Sequence, residues 1–242
     1  MTGFLALLLV VFAAATVQRV AGVGFAILVA PSVVLLQGPQ AIVLSNLLGA
    51  LACGVVLVSS WRDVDARRAL LLTPAGLLGV LPGVYLSRHL APGPLQMTIG
   101  LLIVIGLASA LVSRRLRLSP NTGTTVASGL GSGFMTATAA VGGPALAFYA
   151  LTTRWEQRPF AATVQVSFLC QASLAVGLKG FAHMPGVVPT LVLAGAVLVG
   201  MWLGQRISGR VPVQGARTTA IVVALAGAVA TTVKGLLMWV VA

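Results

Sequence analysis

The sequence predicts an all-α polytopic membrane protein of two inverted repeats, each an interrupted or re-entrant helix pair followed by three transmembrane helices. Three observations carry this reading. Of the 242 residues, 58% are hydrophobic and 7% charged, with a mean hydropathy of +1.05, whereas soluble domains carry about 25% charged residues. Apolar runs of membrane-spanning length recur between short polar breaks. The order of those runs in the first half is repeated in the second, the pattern left by an internal duplication.

The first stretch, 3–36, is too long for one simple span and is broken by Arg19 with Gly22 and Gly24. A bilayer is crossed by about 20 apolar residues, and runs of that size follow at 41–60, 69–87 and 95–113. A second overlong stretch, 122–151, is broken by Gly142-Gly143-Pro144, and further runs follow at 160–178, 187–205 and 218–241, the last carrying Lys234. Each interrupted stretch is expected to be a pair of shorter pieces. The units are 1–118 and 119–242, two repeats of one integral membrane domain. At an offset of 118, Ala21, Val23, Gly24 and Leu28 fall on Ala139, Val141, Gly142 and Leu146, and Ser45 falls on Thr163. At an offset of 117, Cys53 meets Cys170, Gly83 meets Gly200 and Leu86 meets Leu203.

Length leaves room for roughly eight full spans and for no soluble domain beside them. The N-terminal MTGFLALLLVVFAAA has no basic residue ahead of its apolar run, so the first helix is expected to be retained rather than cleaved as a signal peptide. Fifteen Lys and Arg against three acids give a net charge of +12. In a soluble chain that balance would suggest nucleic acid; in this one it is explained by basic loops facing the cytoplasm.

If each interrupted segment returns to its starting side or crosses twice, twelve basic residues share one side: Arg19, Arg62, Arg67, Arg68, Arg114, Arg115, Arg117, Arg154, Arg158, Arg206, Arg210 and Arg217. Arg88, Lys179 and Lys234 remain on the other. A single crossing at 122–151 would send five of the arginines outside, so the positive-inside rule selects the first arrangement. The loop at 61–68 is then cytoplasmic and its counterpart near 179–186 external, which makes the repeat inverted. Inverted repeats with discontinuous helices are typical of secondary transporters, whose substrate sits near the midplane between the repeats. The chain is accordingly expected in the cytoplasmic membrane as a multi-pass protein, in contact with lipid, with self-association left open.

Gly142-Gly143-Pro144 suits a helix start, because proline lacks the N–H that a first turn leaves unpaired. A start buried in the membrane turns free N–H groups and the positive end of the helix dipole toward a cavity, a ready anion site. The piece from Gly24 to Leu36, about 18 Å long at 1.5 Å per residue, brings a second start to the same depth. The alternative for these glycines is close helix packing. Ser45, Asn46, Thr163 and Gln165 sit just inside the helices after the breaks and offer hydroxyl and amide groups to an oxyanion, the alternative for Ser45 and Thr163 being a bond to their own helix backbone. Asn46 is the preferred ligand, since an amide is costly to leave in lipid.

Asp63, Asp65 and Glu156 fall in predicted loops, which leaves no carboxylate within the spans to carry a proton or hold sodium. An inside-negative potential drives an anion outward by about 2.3 kcal/mol per charge per 100 mV, so export needs no coupling ion. Arg19 is read as a boundary arginine that snorkels, and His89 and His183 as solvated loop residues. No metal cluster, nucleophile–base pair or phosphate-binding loop is legible, and neither an enzyme nor a cofactor is expected. A rival class remains: one cysteine per half, Cys53 and Cys170, is how membrane thiol–disulfide electron carriers of the CcdA type place a redox pair. Those carriers set prolines close to their cysteines, whereas here the surroundings are LACGV and FLCQA, and a free buried cysteine is ordinarily a small hydrophobe.

The first half carries a Gly-rich stretch ending in Pro31, the helix start Ala41 to Ser45, the WRDVD loop Trp61 to Asp65, and the helix with Gly79 and Gly83; the second carries GFMTATAAVGGPALAFY and Phe160-Ala161-Ala162-Thr163. On these motifs nearly the whole chain resembles the sulfite exporter TauE/SafE family of membrane permeases. The resemblance implies movement of sulfite, sulfoacetate or other organic or sulfur-containing anions across the cytoplasmic membrane, usually outward. The family often has a denser run of glycines where this chain reads Gly22-Val23-Gly24-Phe25-Ala26.

Overall fold

A computed structural model describes residues 2–21, 24–112, 117, 119, 121–208 and 213–240. Gly22, Val23, Arg114, Arg115, Arg210, the expected unit boundary at residue 118, and the side chains of Ala21 and Arg217 lie outside the described residues. The described residues form ten α-helices and no strand: α1 (Thr2–Ala21), α2 (Phe25–Gln37), α3 (Ile42–Ser60), α4 (Ala66–His89), α5 (Pro92–Val112), α6 (Thr122–Ala139), α7 (Gly143–Thr152), α8 (Gln157–Lys179), α9 (Val187–Ile207) and α10 (Val213–Val240). Single 3-10 turns at Pro39–Ala41 and Trp61–Asp63 lead into and out of α3.

Seven of these helices, α1, α3, α4, α5, α8, α9 and α10, are long and apolar enough to cross a membrane. All six expected spans are among them, and α1 is the addition. The breaks fall where the glycines placed them, but the pieces they separate are unequal. α1 and α6 have 20 and 18 residues, about 30 and 27 Å at the helical rise, whereas α2 and α7 have 13 and 10, about 20 and 15 Å. Only the second member of each pair is short. The glycines of α6 do not interrupt it because they are used for packing: a Cβ on Gly129 or Gly133 would press on the α4 backbone at Leu72 or Gly76.

Local signals explain the helix ends. Asn121 accepts the Thr124 N–H at 2.8 Å and its own N–H donates to Thr124 Oγ1, a reciprocal cap that starts α6. α6 stops where Ala140 turns left-handed at φ 56°, its N–H bonding Thr136 O and that of Val141 bonding Met135 O. This wrapped C-terminus sends the chain back down through Gly142 into α7. Asp65 caps α4 by accepting the Arg68 N–H at 3.1 Å.

Packing partners in the two halves correspond. α4 lies on α6 as α9 lies on α1; α10 lies on α2 as α5 lies on α7; α3 pairs with α8 and α5 with α10. The correspondence reaches single atoms. A Cβ on Gly83 of α4 would meet Phe134 O, Ala137 Cβ and Thr138 Oγ1, and one on Gly200 of α9 would meet Phe12 O, Ala15 Cβ and Thr16 Oγ1. In lipid, helices gain little from hydrophobicity and associate by close backbone approach at small residues, so these glycines fix the helix pairs that surround the centre.

The two ends of the bundle differ in charge. Arg19 donates to Ser59 Oγ at 3.0 Å and to Gln205 Oε1 at 2.5 Å, which gathers the C-terminal ends of α1, α3 and α9. Arg158 pairs with Asp63 at 2.9 Å, and Arg68 lies 4.3 Å from the centre of the Trp155 ring, which adds the starts of α4 and α8 to that end. At the far ends of the helices Arg88, Lys179 and Lys234 are bound to backbone carbonyls. Arg88 donates to Leu178 O and Lys179 to Ala137 O, while Lys234 donates to Leu35 O at 3.0 Å. Cations on the last carbonyls of α8, α6 and α2 complement the negative ends of those helices.

A candidate anion cavity between the helix breaks

A cavity of about 140 Å3 lies inside the bundle, lined from α1, α2, α3, α5, α6, α7 and α8. Both helix breaks open onto it. Gly24, at φ 133°, makes the turn that starts α2, a conformation that a residue with a Cβ adopts only under strain. Gly142 and Gly143 start α7, with Pro144 as its second residue and no side chain capping it. Gly142 is wedged against Ser132 and Thr136, where a Cβ would overlap both; Gly143 has no atom within 4 Å of the place a Cβ would take.

Three more cavity residues, Ser45, Asn46 and Gln165, are almost completely buried, at 1%, 2% and 1% exposure. Ser45 Oγ, Asn46 Nδ2 and Gln165 Oε1 have no hydrogen-bond partner in the protein. Leaving one such atom buried and unpaired costs about 1–3 kcal/mol; the first two are donors suited to an anion, and the third is an acceptor. No Asp, Glu, Lys, Arg or His is among the described residues of the lining. An anion in this cavity is therefore met by neutral donors: the α7 start, the Ser45 hydroxyl and the Asn46 amide NH2. Such a site releases its occupant more readily than one built on a buried ion pair, which suits passage better than storage.

Of the eight residues expected to form the site, seven line the cavity: Gly24, Ser45, Asn46, Gly142, Gly143, Pro144 and Gln165. Thr163 does not. On α8 the cavity-facing residues are Gln165, Phe168 and Ala172, and at 3.6 residues per turn Thr163 points to nearly the opposite face. Its hydroxyl donates to Pro159 O at 2.7 Å and accepts the Asp65 N–H at 2.9 Å, tying α8 to the start of α4. Thr163→Val is therefore expected to lower stability by about 1 kcal/mol with an unchanged half-saturating anion concentration; thermal unfolding in detergent and a transport titration measure the two separately.

Other lining residues escaped the sequence reading. Gln18 on α1 lines the cavity and accepts the Phe25 N–H at 3.1 Å. Thr136 lines it from α6, and with Ser132 donates to Gln171 Oε1, at 3.1 and 3.0 Å. A polar side chain close before each break was the available signal, since Thr136 lies six residues before Gly142 and Gln18 six before Gly24. The cysteines part company: Cys53 is buried on the cavity wall, Cys170 is half-buried and outside the lining, and both are free thiols.

Seven helices of spanning length, two broken helices and a mostly apolar, part-open cavity with a few polar groups where they break define a multi-pass helical membrane protein with the architecture of a permease. The model of the sulfite exporter TauE/SafE family matches residues 7–231, and the chain belongs to that family. No curated protein and no solved structure matches the chain.

Proposed function

We propose that this chain exports a small anion, sulfite or an organosulfonate, across the cytoplasmic membrane by alternating access of two inverted repeats, α1–α5 and α6–α10. The observation that carries the reading is the convergence of two helix starts and two unpartnered buried donors, Ser45 Oγ and Asn46 Nδ2, on one cavity with no charged side chain among its described lining residues. Gly24, Gly142, Gly143 and Pro144 shape the site; Ser45, Asn46 and Gln165 line it. The corresponding packing of α4 on α6 and α9 on α1 supports a repeat whose halves move against each other. The arginine-rich end is the cytoplasmic one by the positive-inside rule, and the membrane potential draws the anion outward without a coupling ion.

The test is transient current from proteoliposomes on a solid-supported membrane after concentration jumps of sulfite, sulfoacetate, thiosulfate, acetate and chloride. A saturable current for sulfite or sulfoacetate, absent from protein-free vesicles, is expected. The reading is overturned if none of these anions gives current and labelled sulfite shows no protein-dependent flux in either direction. Sulfite flux indifferent to an imposed potential would remove the electrogenic step.

A further inference from the structure

We propose that Gln18 is a specificity-determining anion ligand, held in place by the first backbone N–H of α2; the inference rests on the transport reading above and names a further residue of that site. Gln18 stands on α1, the helix from which sequence analysis expected no ligand. It is 7% exposed, lines the cavity, and accepts the Phe25 N–H through Oε1 at 3.1 Å. A backbone N–H only donates, so the group facing it must be the amide oxygen. The end of this amide left to the cavity is then the NH2 group, which carries two donors and no acceptor.

The start of α2 thus acts on the cavity through a side chain. Its N–H is used to orient Gln18, and Gln18 presents donors in its place to the cavity that Ser45 and Asn46 also line. The start of α7 has no such intermediary. Where Phe12 of α1 corresponds to Phe134 of α6 through their matching glycine contacts, the residue that corresponds to Gln18 is Ala140, the left-handed cap. The two halves are therefore unequal at the centre. An oxyanion held there meets backbone N–H groups from one repeat and an oriented amide from the other, and ligands without several acceptor oxygens leave donors unpaired.

Gln18→Glu separates this role from simple capping. The carboxylate still accepts the Phe25 N–H, so the cap is kept, but it presents acceptors and charge where the anion needs donors. Wild-type, Gln18→Glu and Gln18→Met proteins are compared in proteoliposomes by the sulfite concentration giving half-maximal current, with thermal unfolding in detergent alongside. Hydrogen bonds to charged groups are worth enough to change affinity roughly tenfold to hundredfold. A rise of about tenfold or more in both variants is expected, with Gln18→Glu unfolding below the wild-type temperature because its carboxylate is buried without a cation. Gln18→Met, which removes donor and acceptor at similar size, serves where Gln18→Glu does not fold. Wild-type half-saturation in either variant overturns the assignment, because it leaves Gln18 a cap only. Absence of current for every anion tested, together with absence of labelled sulfite flux, in the wild-type protein overturns the transport reading itself, a result that is distinct from either.

Discussion

Gly142→Ala is expected to abolish transport and lower thermal stability, while Gly143→Ala, one residue further on, leaves a folded protein with measurable transport. The difference lies in what each methyl would meet. At Gly142 it would overlap Thr136 Oγ1 and the backbone and hydroxyl oxygens of Ser132. Those hydroxyls are fixed, because Ser132 and Thr136 both donate to Gln171 Oε1, and Gln171 is completely buried. The methyl can be accommodated only by breaking that network or by moving the start of α7 away from α6. Overpacking of this kind costs about 1–3 kcal/mol, and each buried donor left unpaired adds about as much. The first turn of α7 would then no longer present its N–H groups to the cavity. At Gly143 the methyl meets no atom within 4 Å, and alanine favours the helix over glycine by about 1 kcal/mol. Unfolding temperature in detergent and sulfite current measure both variants. Gly142→Ala behaving as wild type would show that the tight approach of α7 to α6 does not shape the site.

The sequence made the element order legible and the positions of both breaks with it, because glycine and proline act locally and leave local marks. Six of the seven cavity residues it found sit at those breaks or in the first two turns of the following helix. What it missed follows from a repeat that has no single offset. Phe12 and Phe134 match at 122, through equivalent contacts to Gly200 and Gly83, which themselves match at 117. On the α3–α8 pair the cavity faces align at 119: Asn46 with Gln165, Gly49 with Phe168 and Cys53 with Ala172. An offset of 118 placed Thr163 opposite Ser45, one residue out of register, and one residue on a helix is a rotation of 100°. An offset of 117 likewise paired Cys53 with Cys170, although Ala172 holds the corresponding wall position. The unequal lengths of α1 and α2 were hidden for another reason: hydropathy rises and falls in the same way whether a helix is full-length or half-length, and only the tertiary contacts of the α6 glycines show that they do not end it.

Asn46→Leu is expected to make the protein more stable and a much poorer transporter. Asn46 is 2% exposed and its Nδ2 has no partner in the protein, so in the empty state it contributes the cost of an unsatisfied donor, about 1–3 kcal/mol. Leucine is of similar size, has a higher helix propensity, and places no unpaired polar group in the mostly apolar cavity lining. The unfolding temperature in the absence of anion should therefore rise. Transport should fall, because the donor that stabilises the bound oxyanion is gone: a hydrogen bond to a charged group is worth about 1.5–3 kcal/mol, so half-saturating sulfite is expected to increase roughly tenfold to a hundredfold. Addition of sulfite should stabilise the wild-type protein by ligand linkage and leave the variant unmoved. Opposite signs for stability and function are what distinguish a binding residue from a packing one, since a core asparagine held by internal hydrogen bonds would lose both together. Loss of stability in Asn46→Leu, or sulfite stabilisation equal to that of the wild type, would mean that the amide is satisfied within the fold and that the anion is held elsewhere along the cavity, by the helix starts and Ser45.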